Sequence, residues 1–72
     1  MKKSKESEIQ RLAKKVVALR KAKGWSGLEF GRRTGLSIPT IRRIENARTW
    51  PQMRVLQSVA TALDVKIGDL FV

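Results

Sequence analysis

Two pairs of adjacent arginines lie within residues 26–46 of this chain, Arg32 with Arg33 and Arg42 with Arg43. A guanidinium group carries a fixed positive charge and a fork of N–H donors, which can hold phosphate oxygens or the O6 and N7 atoms of guanine. The stretch between the pairs contains Gly35, a residue suited to the turn between two short helices. These residues are therefore the first candidates for binding a polyanion.

Other reactive side chains are scarce. The sequence has no histidine and no cysteine, so the usual general base, the commonest neutral metal ligand and any thiolate are missing. The carboxylates form no acid–base or metal constellation. We therefore expect no enzyme activity, no cofactor and no metal site. The lack of disulfides makes the cytoplasm the expected location.

The chain is strongly basic. Sixteen Lys and Arg residues against six Asp and Glu give a formal net charge of +10, which favours nucleic acid or an anionic membrane surface as the partner. Beyond position 54 the only basic residue is Lys66. The C-terminal end is therefore not expected to bind phosphate.

The length of 72 residues allows one small domain with a limited core. Residues 1–7 are basic, and no apolar run follows that could form a signal peptide or a membrane anchor. We expect residues 1–7 to be a flexible tail and residues 8–72 to form the domain.

The spacing of apolar residues predicts an all-α domain of five short helices. Helix 1 covers about residues 8–23, with Ser7 and Gln10 as a capping box and Gly24 as its left-handed end. A fourth helix follows Pro51, and a short apolar element closes the chain. The apolar stripe of the fourth helix consists of Leu56, Val59, Ala60 and Leu63.

Helix 2, about residues 27–33, has a well-defined start. Ser26 is its N-cap, Glu29 is placed to complete a capping box, and Trp25 and Phe30 occupy the two positions of a hydrophobic staple. Gly35 supplies the left-handed residue that ends the helix.

Helix 3 repeats this pattern and runs to about residue 46. Ser37 is its N-cap, Leu36 and Ile41 form the staple, and Pro39 lies in the first turn, where its missing N–H removes no helical hydrogen bond. The outer surface is left to Ile38, Pro39, Arg42 and Arg43.

The chain resembles the phage repressor and Cro family, also called the XRE family, through the pattern S-G-L-E-F-G-R-R-T-G-L-S-x-x-T-I-R-R-I-E-N at residues 26–46. The resemblance extends over about residues 16–71. It implies a five-helix, lambda-repressor-like domain in which helices 2 and 3 form a helix-turn-helix. It also implies that helix 3 enters the major groove of double-stranded DNA.

In that family the first-turn side chains of the second helix reach the base edges. The matching positions here are Ile38, Pro39, Arg42 and Arg43. Arg42 is the leading candidate for holding guanine, and contact with a thymine methyl group is the readout open to Ile38 and Pro39. Packing against helix 2 is the alternative role for Ile38.

Phosphate contacts are expected at the start of helix 2, where backbone N–H groups and the helix dipole favour an anion. Gly27 stands where the family often has a glutamine, so that side-chain contact is missing. The expected phosphate-contacting residues are Ser26, Gly27, Thr40, Asn46, Arg48 and Arg54.

The resemblance also implies two structural features near helix 3. Arg20 is expected to form a partly buried ion pair with Glu45, with two solvated charges as the alternative. Ala47 replaces the family's usual glycine after I-E-N. This replacement puts the left-handed helix end in doubt and favours a shift of that conformation to Asn46.

Together these features predict a sequence-specific transcriptional regulator, most simply a repressor, that binds a two-fold-symmetric operator as a homodimer. The predicted dimer interface is the apolar C-terminal element, with closure of the core as the alternative role for its residues. These residues are Ile67, Leu70, Phe71 and Val72.

Two other functions are weighed against this one. An antitoxin-type domain would bind a protein partner and use DNA binding for autoregulation, although nothing resembling a separate partner-binding tail follows helix 5. Non-specific binding to nucleic acid or membrane is disfavoured, because the capped helices turn their apolar residues inward, whereas a membrane-surface helix exposes an apolar face.

Overall fold

The computed structural model describes residues 7–72, and this part of the chain is all-α, as the sequence predicts. Four α-helices follow one another: α1 (Glu8–Ala22), α2 (Gly27–Thr34), α3 (Ile38–Glu45) and α4 (Met53–Leu63). The fifth predicted helix forms as a 3₁₀ helix, Ile67–Phe71. Of the expected tail, residues 1–6 lie outside the described residues, while Ser7 caps α1.

Helix α1 begins and ends as predicted. The Ser7 hydroxyl accepts from the Gln10 N–H at 3.3 Å, and the Gln10 side chain accepts from the Ser7 N–H at 3.0 Å. Gly24 follows the helix with φ +76°, and the Trp25 N–H donates to the Arg20 carbonyl at 3.2 Å. This arrangement is a Schellman motif, which satisfies carbonyls of the last turn.

The core lies where α1 meets α3, α4 and the 3₁₀ helix, and α2 packs against α3 and α4. The α4 stripe is buried throughout, which confirms the predicted inward face of that helix. Full burial of one large apolar side chain stabilises a fold by about 1.5–3 kcal/mol, so this small core depends on each member. Its residues are Leu12, Val16, Phe30, Ile41, Ile44, Leu56, Val59, Ala60, Leu63 and Leu70.

The start of α2 agrees with the prediction in two respects and differs in one. The Ser26 hydroxyl accepts from the Glu29 N–H at 3.1 Å, and the Trp25 and Phe30 rings stack with centroids 6.3 Å apart. The predicted capping box is wrong. The Glu29 carboxylate turns along the helix instead and accepts from Arg33 Nε at 2.7 Å.

Helix α3 ends in a left-handed residue that is not a glycine. Ala47 has φ +55°, whereas Asn46 has φ −98°, so the predicted shift to Asn46 is wrong. The Ala47 N–H donates to the Ile44 carbonyl at 3.2 Å, and the Arg48 N–H donates to the Arg43 carbonyl at 3.0 Å. These bonds form a Schellman motif, and they offset the roughly 1–2 kcal/mol by which a left-handed conformation disfavours a residue with a Cβ.

Candidate nucleic-acid interface

The turn between α2 and α3 is fixed by Gly35 and Thr34. Gly35 has φ +75°, and its N–H donates to the Gly31 carbonyl at 2.8 Å. The Thr34 hydroxyl donates to the Phe30 carbonyl at 2.9 Å and accepts from the Leu36 N–H at 3.1 Å. The two helices are therefore held at one angle by backbone as well as side-chain bonds. The sequence analysis found Gly35 and missed Thr34.

The first residue of α3 packs directly over α2 at Gly31. A Cβ at this buried glycine would lie 3.2 Å from Ile38 Cδ1 and 3.2 Å from the Leu36 carbonyl oxygen. Ile38 is accordingly half-buried, and the alternative role weighed for it, packing against helix 2, is observed. The terminal methyl group of Ile38 therefore lies against α2, while part of the side chain stays accessible.

The remaining base-reading candidates, Pro39, Arg42 and Arg43, are exposed on α3. Within residues 7–72, no ion pair or hydrogen bond engages either arginine side chain. Arg33 differs, since its guanidinium binds the Glu29 carboxylate and lies 4.8 Å from the centroid of the Trp25 ring. Helix α3 thus presents two uncommitted guanidinium groups.

Two grooves flank α3 and separate these arginines. A groove of about 540 Å³ between α3 and the start of α2 is lined by Gly27, Leu28, Ile38, Ile41, Arg42, Glu45 and Asn46. A groove of about 390 Å³ on the side facing the α3–α4 loop is lined by Thr40, Arg43, Ile44, Trp50 and other residues of the loop and α4. The structure therefore brings Arg42 together with α2, and Arg43 together with the loop.

Of the candidate phosphate-contacting residues, Gly27, Asn46 and Thr40 line these two grooves. Ser26, Arg48 and Arg54 do not line them. Asn46, Arg48 and Arg54 are exposed, and no hydrogen bond within residues 7–72 engages their side chains. The hydroxyls of Ser26 and Thr40 already serve the helix starts: Ser26 caps α2, and Thr40 Oγ1 lies 2.9 Å from the hydroxyl of Ser37, the α3 cap. Gly27, in the first turn of α2, borders the groove with Arg42.

The predicted ion pair between α1 and α3 is present. Arg20 Nε donates to Glu45 Oε2 at 2.7 Å and Arg20 Nη2 donates to Oε1 at 3.2 Å, while Nη1 donates to the Trp25 carbonyl at 2.8 Å. The two side chains are 14% and 16% exposed, which supports the paired alternative rather than two solvated charges. This bidentate pair fixes the last turn of α3 against α1.

Side chains for other chemistry do not converge in the part of the chain that the structure describes. No group of three or more His, Cys, Asp or Glu residues there could hold a metal ion. Among the described helices, none is long and apolar enough to cross a membrane.

A family model described as helix-turn-helix matches residues 16–70. The chain belongs to the helix-turn-helix family. Within that family it is of the XRE type, and it is a DNA-binding regulator of transcription. Helices α2 and α3 are therefore the two helices of the motif, as the resemblance implies.

The fold is also that of a solved structure, a hypothetical transcription factor named NHTF from Neisseria. The TM-score is 0.87 at 24% sequence identity, and the match covers 100% of this chain and 85% of that chain. At this identity the likeness shows the shared fold. A comparison with curated proteins returns no significant match.

The predicted dimer residues divide between core and surface. Leu70 is 1% exposed and belongs to the core, and Ile67 packs against the core, so Leu70 is corrected from interface to core closure. Phe71 and Val72 are 40% and 78% exposed. The sequence analysis missed Trp50, whose ring stacks on Phe71 with centroids 6.4 Å apart.

Proposed function

We propose that this helix-turn-helix protein is a sequence-specific repressor, without enzyme activity, that binds a two-fold-symmetric DNA operator as a homodimer in the cytoplasm. The observation that carries the proposal is the pair of exposed guanidinium groups on α3, Arg42 and Arg43, which no ion pair or hydrogen bond engages within residues 7–72. In a domain with a net charge of +10, the surrounding field favours approach to a polyanion.

Helix α3 is proposed to lie in the major groove with its first turn toward the bases. Arg42 would hold guanine through O6 and N7, and Arg43 would reach bases or phosphate on the opposite side of the helix. Ile38 and Pro39 present apolar surface, which suits the thymine methyl group. The four residues together form the proposed base-reading surface.

The flanking residues are proposed to hold the DNA backbone. Arg48 and Arg54 carry free charge next to the end of α3 and the start of α4, and Asn46 can donate through its amide. The N–H groups in the first turn of α2, near Ser26 and Gly27, suit a phosphate oxygen. Thr40 completes this set on the other side of α3. These contacts fix the position of α3 and carry no sequence information themselves.

The proposed dimer surface consists of Trp50, Phe71 and Val72. The stacked rings of Trp50 and Phe71 expose apolar area, and the segment that contains Phe71 and Val72, after residue 54, carries one basic residue, Lys66. Two copies with a charge of +10 each meet least electrostatic repulsion at this end. Ile67, half-buried at the base of this surface, would support Phe71.

Selection of binding sites from a random pool of DNA duplexes tests this function. We expect enrichment of an inverted repeat whose half-sites are one helical turn apart, about 10–10.5 base pairs. A pool that shows no enrichment would contradict sequence-specific binding. Enrichment of a single half-site, together with a stoichiometric protein that co-purifies with the chain, would favour the antitoxin-type alternative over the homodimer.

A further inference from the structure

The groove between α2 and α3 contains an apolar side chain that the base-reading surface above does not include. Leu28, in the first turn of α2, is 59% exposed. One exposed leucine is ordinary on a protein surface, so its exposure alone implies nothing. Its position implies more, because Leu28 and Ile38 line the groove of about 540 Å³ together with Arg42.

The same two residues also line a second depression. This depression, of about 280 Å³, lies on the side of α2 that carries Gly31 and Arg32. Leu28 and Ile38 therefore form the apolar border between two neighbouring hollows. Ile38 approaches Gly31 closely, so the α3 side of this border lies against α2.

The charges around this border indicate what it contacts. Arg42 lines one hollow and Arg32 lines the other, and in the described residues the only acidic contact of either arginine is that of Arg32 with Glu29 at 3.8 Å. An apolar contact between arginines suits a ligand that is anionic at its edges and carries a small apolar group. Thymine in a duplex meets this description, because its C5-methyl group projects into the major groove between the phosphate strands.

We propose that Leu28 and Ile38 together read the C5-methyl group of one thymine in each half-site, so that α2 supplies a base-reading residue in addition to α3. The inference rests on the proposed sequence-specific DNA binding. Replacing thymine by uracil removes only this methyl group. Burial of one methyl-sized group stabilises binding by an amount equal to about a fourfold change in Kd. We therefore expect Kd to rise about fourfold when the thymine that is read is replaced by uracil.

The experiment measures Kd for the selected operator and for copies in which each thymine of one half-site is replaced in turn by uracil. Wild-type protein is expected to bind about fourfold more weakly at one position. We call the ratio of Kd for the uracil operator to Kd for the thymine operator the uracil penalty. For Leu28→Ala this penalty is expected to fall below about twofold at that position. The variant and the wild type are expected to bind the uracil operator with equal affinity. Met53→Ala, which removes another exposed apolar side chain, 65% exposed, serves as the matched control and is expected to keep the wild-type penalty.

Three results would overturn the inference, and one of them would also overturn the proposed function. A wild type that treats thymine and uracil alike at every position, or a Leu28→Ala variant that retains the full uracil penalty, contradicts methyl reading by Leu28 and leaves the proposed function intact. A wild type that binds random duplex as tightly as the selected operator overturns the proposed function and this inference with it. Circular dichroism of Leu28→Ala confirms that the variant is folded.

Discussion

The same dipeptide, Arg–Arg, occurs in α2 and in α3, but the two copies differ in their contacts with carboxylates. In α2, Glu29 lies three and four residues before the arginines, and its carboxylate binds Arg33 at 2.7 Å and lies 3.8 Å from Arg32. In α3 the corresponding position is occupied by Pro39, which carries no charge, and the nearby carboxylate of Glu45 is held by Arg20. Whether an arginine of a helix is available to bind DNA therefore depends on which residues the neighbouring carboxylates pair with.

Arg20 has a double role in this comparison. It joins α1 to α3, and it keeps the Glu45 carboxylate away from Arg42, which is three residues earlier on α3. An i, i+3 pair between Arg42 and Glu45 would otherwise be possible on the helix surface. Within residues 7–72, the Glu45 carboxylate is thus bound by Arg20 of α1 and not by Arg42.

The largest expected effect is on stability, in Arg20→Ala. This change leaves the partly buried Glu45 without its partner and removes the hydrogen bond to the Trp25 carbonyl. We expect the free energy of unfolding to fall by about 3 kcal/mol, the lower end for a broken buried pair, since both side chains keep some exposure. Urea denaturation measures the loss. Arg32→Ala, on the exposed arginine of α2, is the control and is expected to change stability by less than about 0.5 kcal/mol.

The second prediction separates the two arginine pairs by DNA binding. Arg42→Ala is expected to lose about 1–3 kcal/mol of discrimination at one base pair in each half-site, because a bidentate contact with guanine is removed. Arg33→Ala is expected to keep the base preference of the wild type, since that guanidinium binds Glu29 and Trp25. Fluorescence anisotropy with matched and mismatched duplexes measures both. Equal losses for Arg42→Ala on both duplexes would contradict its role as a base reader.

Arg48→Ala tests the proposed contact between an arginine side chain and a DNA phosphate. Removing one phosphate contact is expected to weaken binding to all duplexes by a similar factor and to lower the slope of log Kobs against log salt by about 0.9. A titration series in sodium chloride measures the slope. A change in base preference without a change in slope would place Arg48 at the bases instead.

The smallest expected effect concerns how α2 and α3 end. Gly35 ends α2 without strain, whereas Ala47 holds φ +55° after α3. Ala47→Gly removes the Cβ penalty but adds backbone entropy to the unfolded chain, so a net stabilisation of about 0.5–1 kcal/mol is expected. Thermal unfolding measures it. Gly35→Ala, the reciprocal change, is expected to destabilise, and a destabilising Ala47→Gly would contradict the Schellman geometry of α3.

Local signals in the sequence predicted most of the fold. Serine caps, the Trp25–Phe30 staple and Gly35 each act within a few residues, so their consequences can be deduced from spacing. The prediction of a capping box at α2 failed because two local partners compete for one side chain. Glu29 can close a capping box or bind Arg33, and the geometry of the formed helix decides in favour of Arg33.

Features that depend on tertiary contact were the hardest to predict. Nothing in the spacing shows that Gly31 lies under Ile38, or that Trp50 stacks on Phe71. The ion pair of Arg20 with Glu45 spans 25 positions, and the prediction of it came from family resemblance alone. Leu70 could not be assigned to core or surface until the 3₁₀ helix was placed against α1 and α4.

The central claim is that free guanidinium groups on α3 give this protein sequence-specific DNA binding. The most direct measurement is the ratio of Kd for random duplex to Kd for the selected operator, at one moderate salt concentration. We predict a ratio of about 10³ or more, as for specific regulators. A ratio near one would show that the net charge alone drives binding, and it would contradict the account.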